Sequence, residues 1–248
     1  MRLLVSCFMA ALFLVAPPTS AEDEGHSITV GINHAPPYRI VGDEGVTGLY
    51  VDIFNEIADR TGWEVHYVEA PFRRVLLMME EGKVDVMLGP LKTEEREKMM
   101  AFVAPAFPPE RKLFFYYHDK NRITEYDDLY GKRIGVLAGA SYFEKFDTDE
   151  ELTREPIARY ENLMQMLAMG RVDVVVAPEL VGRHTVSQLG IDVSESPYQV
   201  PGEHSYIAIA KNSPVLSLQD QVTQTFEQIR QDGTYDKLVM GYRDHASK

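Results

Sequence analysis

The sequence predicts a two-lobed α/β protein in which each lobe is built on a central, mostly parallel sheet flanked by helices. From Ile28 onward, short apolar runs alternate with amphipathic segments, a pattern typical of βα units. One such unit, a Met- and Leu-rich helix, a glycine, a buried strand and a loop, occurs twice, which indicates two similar halves. Its two copies are Gly82-Lys83-Val84-Asp85-Val86 followed by Pro90, and Gly170-Arg171-Val172-Asp173-Val174 followed by Pro178.

The first 21 residues have the features of a secretory signal peptide. Arg2 precedes an apolar run over residues 3–16, and the small residues Thr19 and Ala21 predict cleavage after Ala21. The apolar run is too short for a transmembrane helix. A lipoprotein signal at Cys7 is the alternative, but the six residues before Cys7 leave no room for an apolar region. We therefore expect export to the periplasm.

The composition is that of an ordinary globular protein, with 45% hydrophobic and 25% charged residues among 248. After cleavage the chain has no cysteine, and 24 Lys and Arg against 38 Asp and Glu give it a net charge of −14. Disulfides are therefore excluded, and the acidity argues against nucleic acid or anionic lipid as a partner. The seven histidines show no paired metal-ligand spacing, so we expect neither a metal site nor a cofactor.

Strands and helices are predicted in both halves of the chain. The second half opens with a strand after Gly131, and a final strand and helix cannot bury themselves, so they should return to the first lobe. The predicted strands are residues 28–32, 64–68, 84–88, 133–137 and 206–210, and the predicted helices are residues 48–61, 72–81, 160–169 and 215–230. Crossings between lobes are expected near residues 108–112 and 200–205, which sets lobe 1 at 26–110 and 204–248 and lobe 2 at 111–203.

Arg96 is the leading candidate for ligand binding. With Thr93 as the N-cap of the helix that follows the strand at 84–88, Arg96 lies in the first turn, just outside the carboxyl end of that strand. Open α/β sheets bind ligands there, and a guanidinium group beside free helix N–H groups favours a carboxylate. The alternative interpretation is a solvated arginine among the neighbouring glutamates.

Phe72 and Arg73 begin the helix that precedes the first repeated glycine. Phe72 can be a stacking surface for a ligand or an ordinary packing residue, because the following apolar residues belong to the core. Arg73 can enter the cleft or remain on the surface, since a helix N-terminus disfavours a positive charge unless an anion is near.

A series of further motifs occurs in a specific order. They are Ile28-Thr29-Val30-Gly31, Pro37-Tyr38, Gly48-Leu49-Tyr50-Val51-Asp52-Ile53, the two repeat copies, Thr93-Glu94-Glu95-Arg96 and Gly131-Lys132-Arg133-Ile134-Gly135-Val136. In these motifs the chain resembles bacterial extracellular solute-binding proteins of family 3, the polar amino-acid type that serves ABC importers. The resemblance implies the type II periplasmic-binding-protein fold, a monomer, and the membrane permease of an ABC transporter as partner.

The resemblance also implies a set of site residues. In this family an arginine of the first lobe clamps the ligand carboxylate, an aromatic residue stacks on the ligand, and an acidic residue of the second lobe holds the α-ammonium. By motif position these implied ligand-binding residues are Arg96, Phe72, His34, Gly89 and Leu91 in the first lobe, and Ala140 and Ser141 in the second. Pro178 stands where the family usually has the ammonium-binding aspartate, and Glu179 follows it, so recognition of an amino group stays open.

Two other functions are compatible with the same scaffold. Periplasmic cyclohexadienyl or arogenate dehydratases are similar to this family, and such an enzyme needs a general acid, for which Glu179 and His34 are the candidates. No G-x-S-x-G or P-loop motif is present. A ligand sensor that docks on a receptor instead of an importer is the third possibility. Binding for transport, without catalysis, is the function that the sequence favours.

Overall fold

The two copies of the repeated unit lie at equivalent positions in two separate five-stranded sheets. In the computed structural model, residues 26–246 are described, with side chains through Tyr242. The predicted signal peptide, residues 1–21, lies outside the described residues.

The strands and helices alternate along the chain as expected for an α/β protein. The strands are β1 Ser27–Ile32, β2 Ile40–Gly42, β3 Gly45–Thr47, β4 Glu64–Glu69, β5 Val86–Leu88, β6 Met100–Phe107, β7 Lys112–Tyr116, β8 Arg133–Leu137, β9 Thr153–Ile157, β10 Val174–Pro178, β11 Ser194–Val200 and β12 Ser205–Ala210. The helices are α1 Leu49–Thr61, α2 Phe72–Glu80, α3 Glu94–Met99, α4 Glu144–Thr148, α5 Tyr160–Ala168, α6 Glu179–Leu189, α7 Gln219–Gln231 and α8 Thr234–Ala246. Short 3-10 turns cover Asp119–Asn121, Tyr126–Leu129 and Pro214–Leu218. None of the described helices is both long and apolar enough to traverse a bilayer.

The two sheets have the same topology. The first has the order β4-β1-β5-β12-β6 and the second the order β9-β8-β10-β7-β11. In each, the first three strands are parallel and the fourth runs antiparallel to both neighbours. The repeat strands β5 and β10 both occupy the central position. The two-lobed α/β fold predicted from the repeat is therefore confirmed.

The fourth strand of each sheet is the one that arrives from the other lobe. The chain leaves the first sheet after Phe107 and enters the second at Lys112, and it returns between Val200 and Ser205. These two crossing segments contact one another: a Cβ at Gly202 would overlap the backbone of Glu110. The crossings fall where the sequence placed them, while the exact lobe limits of residues 26–110, 111–203 and 204–248 stay a prediction.

The aspartate of the repeated unit makes the same kind of hydrogen bond in both lobes. The Asp85 carboxylate accepts the backbone N–H of Thr29 at 2.8 Å, and the Asp173 carboxylate accepts that of Arg133 at 2.9 Å. Each aspartate therefore ties the start of the repeat strand to the neighbouring strand. β5 begins at Val86, two residues later than the predicted start at residue 84.

Removing the carboxylate of the first repeat should measurably destabilise the protein. Asp85→Ala leaves the Thr29 amide and the Ser213 hydroxyl, which donates to Asp85 at 2.6 Å, without their acceptor. Because these groups are partly buried, we expect a loss of about 1–3 kcal/mol in the free energy of unfolding. Urea denaturation measures it, with Asp192→Ala at an exposed loop position as the control. Equal losses in both variants would contradict the assigned role.

Candidate functional site

A small cavity lies between the two sheets and is enclosed by residues of both lobes and of both crossing segments. Its volume is about 70 Å³. The first lobe contributes Ala35, Tyr38, Arg39, Tyr50, Phe72, Gly89, Leu91 and Arg96; the second contributes Leu137, Ala140, Ser141, Tyr142, Tyr160, Pro178 and Val181; the crossings and their adjoining strand ends contribute Pro108, Glu110, Lys112, Glu203 and Ser205. A cavity in this place is formed only when the lobes face each other.

Arg96 lies at the junction of the two lobes and is buried. Thr93 caps α3 by accepting the Arg96 backbone N–H at 3.3 Å, as the sequence predicts. The guanidinium donates to the Leu91 carbonyl at 2.7 Å and, across the lobe junction, to the Gly139 carbonyl at 2.9 Å. Among the described residues no carboxylate lies within ion-pair distance of this guanidinium. Burial lowers the pKa of Arg96 to about 10, because the cation is poorly solvated there and the negative charges of Asp147 and Glu95 only partly offset this.

Five further predicted residues line the same cavity. The Phe72 ring lies 5.5 Å from the guanidinium carbon of Arg96, so it packs on the cation as well as lining the cavity. Gly89 has a φ of 90°, and a Cβ there would overlap the guanidinium of Arg39 and the ring of Tyr50. Only glycine fits this position. The remaining predicted cavity residues are Leu91, Ala140 and Ser141.

Arg73 lies outside this cavity, in a wider groove of about 500 Å³ on the other side of Arg96. Its side chain is exposed, and its Cβ lies 3.1 Å from the position that a Cβ at Gly139 would occupy. Arg73 is therefore part of the contact between the lobes at the rim of the cleft.

His34 is also placed at the lobe junction and not among the residues that line the cavity. Its Nδ1 accepts the Val41 backbone N–H at 3.1 Å, and its Nε2 lies 3.7 Å from the Glu161 carboxylate of α5 in the second lobe. The side chain thus bridges the lobes beside the cavity.

Glu179, the candidate for the ammonium anchor, is engaged elsewhere. Its carboxylate pairs with Arg111 of the first crossing segment and with Arg183 at 2.6 Å one helical turn later. The Arg111 guanidinium holds the pKa of Glu179 below its usual range. Glu179 begins α6 but does not line the cavity, because these two arginines draw its side chain away from it.

Arg39 is a cavity residue that the sequence reasoning missed. Its guanidinium is buried and stacks 5.2 Å from the centre of the Tyr50 ring. It donates to the Asn33 carbonyl at 3.3 Å and the Leu88 carbonyl at 3.1 Å, and burial lowers its pKa. A signal was present, since a cation directly follows Pro36-Pro37-Tyr38 in the loop after the first strand, at the carboxyl edge of the sheet.

Glu110 and Lys112 were also missed, although they lie in a predicted crossing segment. The Glu110 carboxyl accepts the Leu180 backbone N–H in the first turn of α6 and a hydrogen bond from the Tyr38 hydroxyl. Burial raises the pKa of Glu110 to about 7. Lys112 is buried beside it, donates to the Glu110 carbonyl at 3.1 Å, and has its pKa lowered by burial. The sequence contained a signal for these two residues, because charged side chains in a segment predicted to cross between the lobes lie beside the cleft.

Tyrosines form much of the remaining wall. Tyr50 stacks between Tyr38, with ring centroids 4.5 Å apart, and Phe107, at 3.8 Å. The Tyr50 hydroxyl accepts a hydrogen bond from Ser205 at 3.2 Å, which ties α1 to the second crossing. Tyr160 and Tyr142 line the opposite side and hydrogen-bond to each other. The wall therefore provides flat apolar surface together with a few fixed polar groups.

Two α/β lobes that are joined by two crossing segments and enclose a cation-lined cavity define a solute-binding protein. The sequence profile of the bacterial extracellular solute-binding proteins, family 3, matches residues 28–245. The chain belongs to this family, as its motifs predict.

Individual relatives are distant but similar along almost their whole length. A probable histidine-binding protein of Campylobacter jejuni is 25% identical and covers 98% of this chain and 99% of its own. A putative ABC transporter arginine-binding protein of Escherichia coli is 25% identical, with 82% of this chain and 84% of the relative covered. Among solved structures, an ancestral arginine-binding protein bound to arginine is 27% identical, with a TM-score of 0.76 and coverage of 87% and 97%.

Proposed function

We propose that the chain is a periplasmic binding protein that closes around a small carboxylate-bearing solute, most simply an amino acid, and delivers it to the membrane permease of an ABC importer. The family and the names of the relatives support this class of function. We assign no catalytic step to it. Delivery to a permease and export by a cleaved signal peptide are parts of the proposal.

The observation that carries the proposal is the state of Arg96. A guanidinium has five N–H donors, and two of those of Arg96 are used by the Leu91 and Gly139 carbonyls. Arg96 lines the cavity between the lobes, and among the described residues no carboxylate forms an ion pair with it. Asp147 and Glu95 favour its charge only from beyond ion-pair distance. Buried cations are normally paired, so a carboxylate of the solute is the natural partner. Because Arg96 contacts both lobes, it couples solute binding to closure.

Glu110 is proposed as the acid that accepts an amino group of the solute. It occupies the space beside Pro178 where the family usually has an aspartate, since its carboxyl lies against the first turn of α6. With its pKa near 7 it is partly protonated at neutral pH, and an ammonium group would favour its charged form. The acid therefore comes from the first crossing segment instead of from the second lobe.

The dehydratase alternative gains no support from its two candidate acids. His34 accepts a backbone N–H and approaches Glu161, while Glu179 is held as a carboxylate by Arg111 and Arg183. Neither is among the residues that line the cavity.

A thermal-shift screen of amino acids, dicarboxylates and small amines tests the proposed function. Binding to the folded state alone must raise the melting temperature, and a hundredfold excess over Kd contributes about 2.7 kcal/mol. We expect stabilisation by at least one compound with a free carboxylate and none by the matched methyl ester. Stabilisation only by compounds that lack an acid group would contradict the proposal.

A further inference from the structure

Three cations, not one, converge on the cavity. Arg39, Arg96 and Lys112 all line it and are exposed by only 6%, 5% and 6%. Within the part of the chain that the structure describes, none of the three takes part in an ion pair. Their contacts are with backbone carbonyls and aromatic rings, which orient a positive charge without neutralising it. One carboxylate on Arg96 therefore leaves Arg39 and Lys112 buried without an ion-pair partner among the described residues.

The acidic groups near the cations favour their charge without forming ion pairs with them. Glu110 acts on Arg39 and Lys112, and Asp147 acts on Lys112 and Arg96, in each case from beyond ion-pair distance. Glu110 is only partly charged at neutral pH because burial raises its pKa to about 7. Glu203, the other acid of the cavity wall, is exposed, so its charge is screened by water. An unpaired buried cation is costly, and an anionic group of the solute would remove that cost.

The two guanidinium groups are held by two different backbone carbonyls of one turn. Arg39 binds the Leu88 carbonyl and Arg96 binds the Leu91 carbonyl, so they hold opposite ends of the turn that contains Gly89. Leu88 and Leu91 are three residues apart, so the backbone between them spans at most about 11 Å. Both guanidinium groups line the same cavity. The second amino group of the Arg39 guanidinium, Nη2, has no hydrogen-bond acceptor among the described residues. Gly89 is required here because any side chain would occupy the space between Arg39 and Tyr50.

We propose that Arg39 and Lys112 form a second anionic subsite, so that the solute is a short diacid with one carboxylate on Arg96 and the other on this pair. The inference rests on the proposed function and specifies its ligand class. An acidic amino acid and an unsubstituted dicarboxylic acid share this chemistry. The two compounds differ in their interaction with Glu110, because only the acidic amino acid carries an ammonium group that this carboxylate can bind.

Titration calorimetry on the wild-type chain tests the subsite without any variant. L-glutamate, L-aspartate, glutarate and succinate are compared with L-glutamine, L-asparagine and L-arginine. The diacids should bind about ten- to a hundredfold more tightly than the matched amides, because each amide replaces a charge-assisted contact by a neutral one. If L-glutamate binds more tightly than glutarate, the solute is an acidic amino acid. If glutarate binds more tightly, the solute is a simple dicarboxylic acid. Both results support the second subsite.

Two variants test whether Arg39 and Lys112 cause the preference for diacids over amides. Arg39→Gln and, separately, Lys112→Met should each bring the ratio of diacid to amide affinity toward one, while Arg171→Gln, an exposed arginine in the turn before β10, should leave it unchanged. If L-glutamine or L-arginine binds wild type as tightly as the diacids do, the second subsite is refuted and the proposed function stands. If no carboxylate-bearing compound of the series binds, the proposed function itself fails.

Discussion

Arg96→Gln is expected to abolish solute-induced stabilisation. Truncating one partner of a buried charged pair costs about 2–5 kcal/mol, which corresponds to a roughly thirty- to several thousandfold weaker Kd. The cause is the loss of a charge-assisted contact between a buried guanidinium and the solute carboxylate in the cavity between the lobes. The measurement is the shift in melting temperature with the solute that stabilises wild type, followed by its Kd.

The same substitution should have a small effect on the unliganded protein. It removes the hydrogen bonds to the Leu91 and Gly139 carbonyls, but it also removes a poorly solvated cation, and the two effects oppose each other. Arg171→Gln, which changes an exposed arginine, is the matched control and should retain the full shift. An undiminished shift in Arg96→Gln would show that the carboxylate is bound elsewhere.

Glu110→Gln is expected to change how stability depends on pH. The pKa of Glu110 is raised from 4.5 to about 7, mainly by burial. Between these values the folded state retains a proton that the unfolded state has lost, so the wild type should lose stability as pH rises through this window. The difference between 4.5 and about 7 corresponds to about 3 kcal/mol, which is reached once the pH is well above the folded-state pKa. The variant has no such penalty and should be more stable than wild type at pH 8.

Urea denaturation at several pH values between 4 and 8.5 measures this difference. Subtracting the wild-type profile from that of Glu110→Gln removes the contributions of the titratable groups that the two proteins share. Glu203→Gln is the control, because Glu203 is exposed and its neutralisation should leave the slope unchanged. Parallel profiles for wild type and Glu110→Gln would mean that the carboxyl group is solvated in the folded protein.

Local patterns predicted the repeated units and the two-lobed architecture, because these patterns depend on neighbours in the sequence. The strand at 133–137 is found unchanged as β8. Gly62 and Gly82, both with positive φ, follow the helices that were predicted at residues 48–61 and 72–81. The errors occur where distant contacts decide. The helix expected at 215–230 begins as a 3-10 turn at Pro214 and becomes α7 only at Gln219, and Gly233 separates α7 from α8, which was not predicted.

The candidate site was predicted only in part, for a similar reason. Arg96 was found because its position follows from a strand, an N-cap and the edge of a sheet, all local in sequence. Arg39 and Glu110 were missed because their environment is created by other segments: Leu88 binds Arg39, and Leu180 binds Glu110, 49 and 70 residues away. Glu179 was a candidate by position alone, and only the packed structure reveals that Arg111, 68 residues away, occupies its carboxylate.

A crystal structure of the protein with its stabilising solute tests the central claim most directly. We expect the solute between the two lobes, with a carboxylate within hydrogen-bond distance of the Arg96 guanidinium and the rings of Phe72 and Tyr50 against it. A solute bound on the outer surface of one lobe, or one enclosed in the cleft with no acid group on Arg96, would contradict the account.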